Sequence, residues 1–332
     1  MNIDLLKKLC SINGISGCEK TIGEYIIKEF SSHFDECYRD NLLNVIALKK
    51  GHAENPKKVM LFAHLDVAGF IVTHIEENGK LRFSPVGETV INSAVYQKVF
   101  FENGTQGIIL PEQADEKYTY NSLFVDIGAT DKKEAERYIS VGDCFSLSLD
   151  ITMLKGDKLL GASLDNRASC AVLLTAAMNL KDNPDDIYFV FSSQQKAGNR
   201  GIKPTAFAIS PDFAISIDTS LSICCENPSV RIELGKGPAI KIKDKSVICN
   251  EKLTKFVENT ANSIGLNLQN EVTNCGTSEL AVVQSTCGAS VSGLVIPCEN
   301  PNTSAQIINI NDLEGLAKLV ITLAKSDFSK II

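Results

Sequence analysis

The segment LGASLDNRASC, residues 160–170, is the part of the sequence from which the fold can be predicted. Leu159 precedes it, and apolar residues recur at helical spacing after it, from Ala168 to Leu180. Asp165 is therefore predicted to lie in a loop just before a buried helix. A carboxylate at that position can bind a cation, or it can cap the helix, since Asp is a favoured N-cap residue. The segment alone leaves both interpretations open.

A second segment, Val59–Ala63, is a continuous apolar run of strand length that ends at His64. A strand that is apolar on both faces belongs in the middle of a covered sheet. Asp66 lies two residues beyond His64, so both side chains would point the same way if the extended conformation continued. The Asp66 carboxylate could then hold the imidazole in one tautomer.

Asp218 follows a third segment of this kind, the predicted strand Phe213–Ile217. His64, Asp165 and Asp218 thus each close a predicted strand or open the helix after it, and ligands of open α/β sheets bind where such residues converge. One imidazole and two carboxylates match a zinc-like site with three protein ligands and water in the fourth position. The alternative is a core histidine with two aspartates in caps or turns.

The middle of the chain differs from its two ends in the pattern of its apolar and turn residues. Residues 68–159 form short alternating or apolar segments separated by turn residues such as Glu77-Asn78-Gly79, a pattern typical of a small β-rich domain inserted into a larger one. Residues 1–67 and 160–332 alternate strands with helices. This alternation predicts an α/β domain with a mixed, mostly parallel sheet flanked by helices.

The 40 Asp and Glu residues outnumber the 33 Lys and Arg residues, which gives a net charge of −7. The charges are interspersed without a basic cluster, so nucleic acid and anionic membranes are not expected as partners. No apolar run approaches the roughly 20 residues of a membrane span, and the N-terminus lacks the layout of a signal peptide. We therefore expect a cytoplasmic protein.

The eleven cysteines are scattered and include no CxxC pair. Their odd number and spacing favour buried, reduced thiols over a disulfide framework or a zinc ribbon. The adjacent pair Cys224-Cys225 could ligate a metal, but no second pair stands at ribbon spacing.

Six segments of the chain resemble, in order and spacing, the signature segments of metallopeptidase family 42, the glutamyl and deblocking aminopeptidases, some of which carry a glucanase label. They are AHLDVAGF, GASLDNRASC, FSSQQKAGNRG, PDFAISIDTS, IELGKGPAI and NCGTSEL. The resemblance implies an α/β catalytic domain with a β domain inserted after the first metal-binding strand. It also implies homo-oligomers, from dimers up to tetrahedral dodecamers, that assemble through the insert and act on peptides.

The resemblance also implies roles for particular residues at a site with two divalent metals bridged by an aspartate. Asp165 occupies the position of the bridging ligand, and His64 and Asp218 occupy the positions of the other ligands of the first metal. Asp66 falls on the residue that orients the histidine.

The remaining positions of the site depart from the family pattern. Gln195 stands at the position of the general base Glu, and Lys196 stands at a Glu that binds the second metal. Asn302 replaces the histidine of the second metal, and Ser278 replaces a further acid.

These departures have chemical consequences. A carboxamide cannot accept a proton near neutral pH, and loss of a general base typically lowers a rate about 10²–10⁴-fold. A protonated lysine binds no metal. We therefore expect one divalent metal, zinc or cobalt, at His64, Asp165 and Asp218, and no second metal. We expect Lys196 to pair with the free oxygen of Asp165, the alternative being a solvent-exposed lysine.

Three functions follow as hypotheses. The first is an aminopeptidase-family protein that is inactive or very weak and serves as a peptide-binding or assembly subunit. The second is a working hydrolase with one metal at His64, Asp165 and Asp218, in which that metal alone activates the water. Separately, Glu279 or Glu299 could have taken over as the base, although neither lies at the family's base position. A glycosidase would need a pair of carboxylates that the sequence does not identify.

Overall fold

The computed structural model describes residues 2–114, 117–147, 150–222 and 232–331, so the Cys224-Cys225 pair lies outside the described residues. The α-helices of the described part are α1 (Ile3–Ser11), α2 (Lys20–Phe30), α3 (Ile91–Ala94), α4 (Lys132–Ala135), α5 (Leu164–Asn179), α6 (Ile202–Ile209), α7 (Glu251–Ser263), α8 (Glu279–Cys287) and α9 (Ile310–Ala324). The strands are β1 (Glu36–Arg39), β2 (Val45–Lys49), β3 (Lys58–His64), β4 (Gly69–Ile75), β5 (Leu81–Val86), β6 (Lys98–Phe101), β7 (Gln106–Pro111), β8 (Leu123–Asp126), β9 (Cys144–Leu147), β10 (Thr152–Met153), β11 (Lys158–Gly161), β12 (Asp186–Ser192), β13 (Phe213–Leu221), β14 (Ala239–Lys243), β15 (Gln269–Val272), β16 (Ser290–Glu299) and β17 (Gln306–Asn309).

Eleven strands form one mixed sheet in the order β1-β2-β12-β3-β13-β16-β17-β11-β10, with β14 and β15 branching from β16. The four central strands, β12, β3, β13 and β16, run parallel. Antiparallel pairs flank them on both sides. This large sheet with helices on both faces confirms the predicted α/β fold class.

Strand β3 shows why an uninterrupted apolar run was needed at the centre of the sheet. Val59 and Leu61 belong to a cluster that contains buried residues of α1, α2, α5, α7 and α9. Met60 and Phe62 point to the other face and belong to a cluster with α6 and α8. Both faces of the strand are covered, as expected for a parallel sheet.

Strands β4 to β9 close into a small barrel in the order β4-β5-β8-β7-β6-β9. The barrel has its own core, in which the ring of Phe145 lies 5.3 Å from that of Phe70 and 4.9 Å from that of Phe101. All six barrel strands lie within residues 68–159, whereas β10 and β11 pair with each other in the main sheet. The domain boundaries at 67/68 and 159/160 stay a prediction.

A disulfide joins Cys18, which lies between α1 and α2, to Cys144 at the start of β9. The expectation that the cysteines are reduced is wrong for this pair. The two residues are 126 positions apart, and the fold brings them together where the barrel meets the main domain, so their spacing did not reveal the contact. Within the described residues, no helix has the length and apolar character that a membrane crossing requires.

Candidate active site

His64 is the last residue of β3 and is 1% exposed. Its Nδ1 lies 2.9 Å from the backbone carbonyl of Asp66 and 3.5 Å from the Asp66 carboxylate. The nearer group that orients the ring is therefore the main-chain carbonyl, because the chain turns after β3 instead of continuing as a strand. Burial alone would lower the pKa of His64, but the surrounding carboxylates of Asp165, Asp218 and Asp66 raise it well above its ordinary value.

Asp165 lies at the start of α5, where its backbone is not helical (φ −85°, ψ 100°), and it is 6% exposed. Its carboxylate does not cap the helix. Oδ1 accepts a hydrogen bond from Thr219 Oγ1 at 2.8 Å, and Oδ2 accepts one from Lys196 Nζ at 2.8 Å. The backbone N–H of Asp165 donates to Gln306 Oε1 at 2.8 Å. The helix-cap interpretation is therefore wrong, and the carboxylate faces the ends of the central strands.

Asp218 lies within β13, which continues to Leu221 and does not end at Ile217 as expected. Its Oδ1 is 3.6 Å from His64 Nε2, and Asp165 Oδ1 is 3.7 Å from the same nitrogen. One donor atom from each of the three residues lies within 4.8 Å of the other two.

This cluster fits one divalent cation. An imidazole and two carboxylates are the donors of a site with three protein ligands and an open position. His64 Nε2 is buried and has no hydrogen-bond partner among the described residues. A bound cation would give that nitrogen the partner it lacks, since buried polar atoms are rarely left unpaired.

Lys196 lies next to this cluster, in the loop after β12, with its side chain 14% exposed. Its ammonium is 2.8 Å from Asp165 Oδ2 and 3.4 Å from Asn302 Oδ1. The pKa of Lys196 is raised, because the Asp165 carboxylate outweighs the effect of burial. Burial would raise the pKa of Asp165, but the Lys196 ammonium and His64 hold it well below its ordinary value. The lysine is thus a paired group and not a solvent-exposed one.

Asp66 also anchors the loop that carries Lys196. Its two carboxylate oxygens accept the backbone N–H groups of Gln195 at 3.0 Å and Lys196 at 2.8 Å. The buried Glu19 accepts the N–H of Gln194 at 2.8 Å, and burial raises the pKa of Glu19 to about 7. These bonds set the loop's position before any ligand is present.

The barrel completes the surroundings of Lys196. Gly87, in the segment after β5, has φ +82°, and a Cβ atom there would lie 2.7 Å from Lys196 Cβ. Glycine allows this close approach and the positive φ. Gly87, Thr219, Gln306 and Glu19 were not predicted as site residues. Only Thr219, which adjoins Asp218 in the sequence, offered a local signal.

The predicted base positions have the following surroundings. Gln195 lines the cavity beside the cluster, and its Oε1 is buried without a hydrogen-bond partner among the described residues. Glu279 accepts a hydrogen bond from Ser192 Oγ at 2.9 Å, and burial raises its pKa to about 8. Glu299 lies 3.7 Å from Lys158. Neither glutamate lines this cavity, whose volume is about 420 Å³.

A mixed α/β domain with a small barrel and a His-Asp-Asp cluster at its strand ends is an arrangement found in metallopeptidases. Residues 44–319 match the M42 glutamyl aminopeptidase family, and the chain belongs to that family of metal-dependent aminopeptidases. A candidate aminopeptidase of Acetivibrio thermocellus is 37% identical over 325 residues, which cover 96% of this chain and 97% of that protein. The lysyl aminopeptidase of Pyrococcus furiosus is 30% identical over 337 residues, or 96% of each protein.

A solved structure confirms the likeness at the level of the fold. The TET1 peptidase of Pyrococcus horikoshii, described as able to assemble into a tetrahedron or a large octahedral shell, superposes with a TM-score of 0.88 and 30% identity. The match covers 98% of this chain and 99% of that one.

Proposed function

We propose that this chain is a one-metal member of the M42 family that binds peptides and whose aminopeptidase activity is lost or very weak. The single observation that carries the proposal is the 2.8 Å contact between Lys196 Nζ and Asp165 Oδ2. The family resemblance gives Asp165 the role of bridging two metals. Here one of its oxygens is engaged by an ammonium group.

Two properties of Lys196 oppose a second metal. A protonated amine has no lone pair to donate to a cation. Its unit charge also repels a dication strongly at a separation of a few ångströms in a partly buried site. Asn302, which stands where the resemblance implies a histidine ligand, instead offers its Oδ1 to the ammonium at 3.4 Å. Both contributions to a second metal are thus replaced by a hydrogen-bonded pair.

The first metal position is retained in the proposal. His64, Asp165 and Asp218 would hold zinc or cobalt, since imidazole and carboxylate ligands suit both. A cation bound there would supply Lewis-acid polarisation of a peptide carbonyl. The chain's own residues would orient the peptide in the cavity beside it, but Gln195 cannot take up a proton from water. The expected cost of lacking a base is about 10²–10⁴-fold in rate.

A working one-metal hydrolase is the second candidate. Both candidates need a metal at His64, whose buried Nε2 has no hydrogen-bond partner among the described residues. The two candidates share the metal and differ only in turnover.

Assembly is the third part of the proposal. The relative from Pyrococcus horikoshii is described as able to assemble into a tetrahedron or a large octahedral shell, and most soluble oligomers are homo-oligomers with closed symmetry. We infer that this chain forms a homo-oligomer through its barrel, whose exposed Ile108 and Tyr96 would lie at or near such an interface.

The test is the metal content per chain after incubation with zinc or cobalt, together with turnover of amino-acid p-nitroanilides. We expect one metal per chain, lost in His64→Ala, and turnover near background. The triple variant Gln195→Glu, Lys196→Glu, Asn302→His should bind two metals. Two metals in the wild-type protein would contradict the proposed role of Lys196, and unchanged stoichiometry in the triple variant would show that these positions are not the second site.

A further inference from the structure

The cavity beside the metal cluster has a second charged region, which we call the β14–β15 wall and define by Lys241, Asp244 and Glu271. All three residues line the cavity and are at least nine-tenths buried. Lys241 Nζ lies 2.6 Å from Glu271 Oε2 and 3.4 Å from Asp244 Oδ2. None of the three belongs to the family motifs from which the metal site was predicted.

The two carboxylates of this wall differ in how well they are satisfied. Asp244 Oδ1 accepts three further hydrogen bonds, from the backbone N–H and the hydroxyl of Ser246 and from the N–H of Val247. Among the described residues, Glu271 has the Lys241 ammonium as its one charged partner, and Oε2, the oxygen nearest that ammonium, is buried and has no other hydrogen-bond partner. Glu271 therefore keeps acceptor capacity in the cavity that it lines.

The charge balance of the cavity points to a cationic ligand. The described residues lining it include five carboxylates and two ammonium groups. A divalent cation at the metal cluster binds neutral His64, and with that cation in place the lining has a net charge of −1. The β14–β15 wall by itself has one ammonium for two carboxylates. A cavity of one charge sign with low-dielectric walls concentrates ligands of the opposite sign.

The cavity also has exposed apolar residues in its lining. Val272, which follows Glu271 in β15, is 60% exposed, and Leu221 at the end of β13 is 44% exposed. Both line the cavity. Long basic side chains combine an aliphatic stem with a charged head, so these apolar groups and the carboxylate together match lysine or arginine better than a short or acidic side chain.

We infer that the cavity selects peptides whose first residue has a basic side chain, with Glu271 as the residue that determines this specificity. The inference rests on the proposed peptide binding. It does not depend on whether the bound peptide is cleaved, because none of the three wall residues is a base or a metal ligand in the proposed function.

The experiment compares three dipeptides by calorimetry on the zinc-loaded protein: lysyl-alanine, norleucyl-alanine and glutamyl-alanine. Norleucine has an unbranched aliphatic side chain without the ammonium, and all three dipeptides have a free N-terminus. Product formation is followed in parallel, and kcat/KM replaces Kd for any dipeptide that is cleaved. We expect lysyl-alanine to bind about ten-fold more tightly than norleucyl-alanine, in the range measured for close charge pairs, and glutamyl-alanine to bind most weakly.

Glu271→Gln should reduce the preference for lysine over norleucine to about two-fold or less, since the carboxamide keeps the size of the side chain and removes its charge. Glu258→Gln, at a half-buried position of α7 outside the cavity lining with Lys255 as its ion-pair partner, is the matched control and should leave the preference unchanged. If Glu271→Gln fails to fold, the wild-type preference itself should fall several-fold between low and high salt.

Equal binding of lysyl- and norleucyl-alanine, or tightest binding of glutamyl-alanine, would overturn the inference alone. No binding of any dipeptide would overturn the proposed peptide binding and the inference with it. Failure of the rest of the proposed function would appear as two bound metals or rapid turnover. Neither of those results changes the ranking of the three dipeptides, so the two failures are distinguishable.

Discussion

Two buried lysines line the same cavity, and their surroundings differ. Lys196 has one carboxylate, Asp165, and one amide oxygen, Asn302, within hydrogen-bond reach. Lys241 has two carboxylates within 3.4 Å. The charge of Lys196 is neutralised by Asp165, which also belongs to the metal cluster. The charge of Lys241 is neutralised by two carboxylates, Asp244 and Glu271, which do not belong to that cluster.

This difference separates the two roles that a buried cation can play. Lys196 shares Asp165 with the metal cluster, so in the proposed function its charge competes with a metal. Lys241 shares no carboxylate with the cluster, although Asp218 is close enough to contribute to its raised pKa. Its charge instead stabilises Asp244 and Glu271 in a buried wall. The same residue type is therefore proposed to affect metal binding in one place, and fold stability and the charge of the ligand in the other.

The largest expected effect is on stability in Lys241→Met. The variant leaves Glu271 and Asp244 buried without their cation, and removing one partner of a buried ion pair costs about 3–5 kcal/mol. Urea denaturation measures the loss. Lys255→Met, at an exposed pair of 3.1 Å with Glu258, is the control and should cost less than about 1 kcal/mol. Equal stability of the two variants would mean that the wall is not held by its ammonium.

Lys196→Met should have a smaller effect on stability and a characteristic effect on metal binding. Without metal, Asp165 keeps its hydrogen bond from Thr219, and the loss is about 1–3 kcal/mol, the penalty for an unpaired polar group. Removing a positive charge next to the cluster should tighten zinc binding about ten-fold, as expected for nearby charges in a partly screened site. Calorimetric titration of the chelator-treated protein with zinc measures this change. Unchanged affinity would show that Lys196 does not oppose the metal.

Much of the fold followed from residue patterns, because the central strands are covered on both faces. The run Val59–Ala63 could be recognised as a strand for that reason. Strand β13 was predicted too short, since Thr219 and Ser220 are polar and only half-buried. Helix α8 was missed because it is short and its apolar residues form no clear stripe, with only Glu279, Leu280 and Val283 buried.

The residues of the candidate site also differ in whether the sequence reveals them. His64, Asp165, Asp218 and Lys196 could be found because motif segments contain them. The β14–β15 wall could not, because Lys241 and Glu271 belong to strands that pair side by side in parallel, although 30 residues separate them in the sequence. Neither residue has a local pattern that distinguishes a buried ion pair from a solvated charge.

The pH dependence of stability tests whether the Asp244 carboxylate of the β14–β15 wall stabilises the fold. Burial would raise the pKa of Asp244, but hydrogen bonds from Ser246 and the Lys241 ammonium lower it below its ordinary value. A depressed folded-state pKa adds stability above the unfolded-state pKa, and this stability is lost as the pH falls through the folded-state value. Asp244→Asn should thus cost about 1–2 kcal/mol at pH 7 and progressively less towards pH 3. Urea titrations at both pH values test this, and a constant difference would contradict it.

The smallest effect tests how the barrel holds Lys196. Gly87→Ala and Gly104→Ala both place a side chain at positive φ, +82° and +87°, which costs each variant about 1 kcal/mol. A Cβ at Gly104 meets no atom within 4 Å, whereas at Gly87 it would lie 2.7 Å from Lys196 Cβ. The difference between the two variants in urea therefore isolates the contact with Lys196, and overpacking should make it about 1 kcal/mol or more. If Gly87→Ala also tightens zinc binding while Gly104→Ala does not, the barrel segment is what presses the ammonium against Asp165. If the two variants match in both measurements, the loop anchored by Asp66 positions Lys196 without help from the barrel.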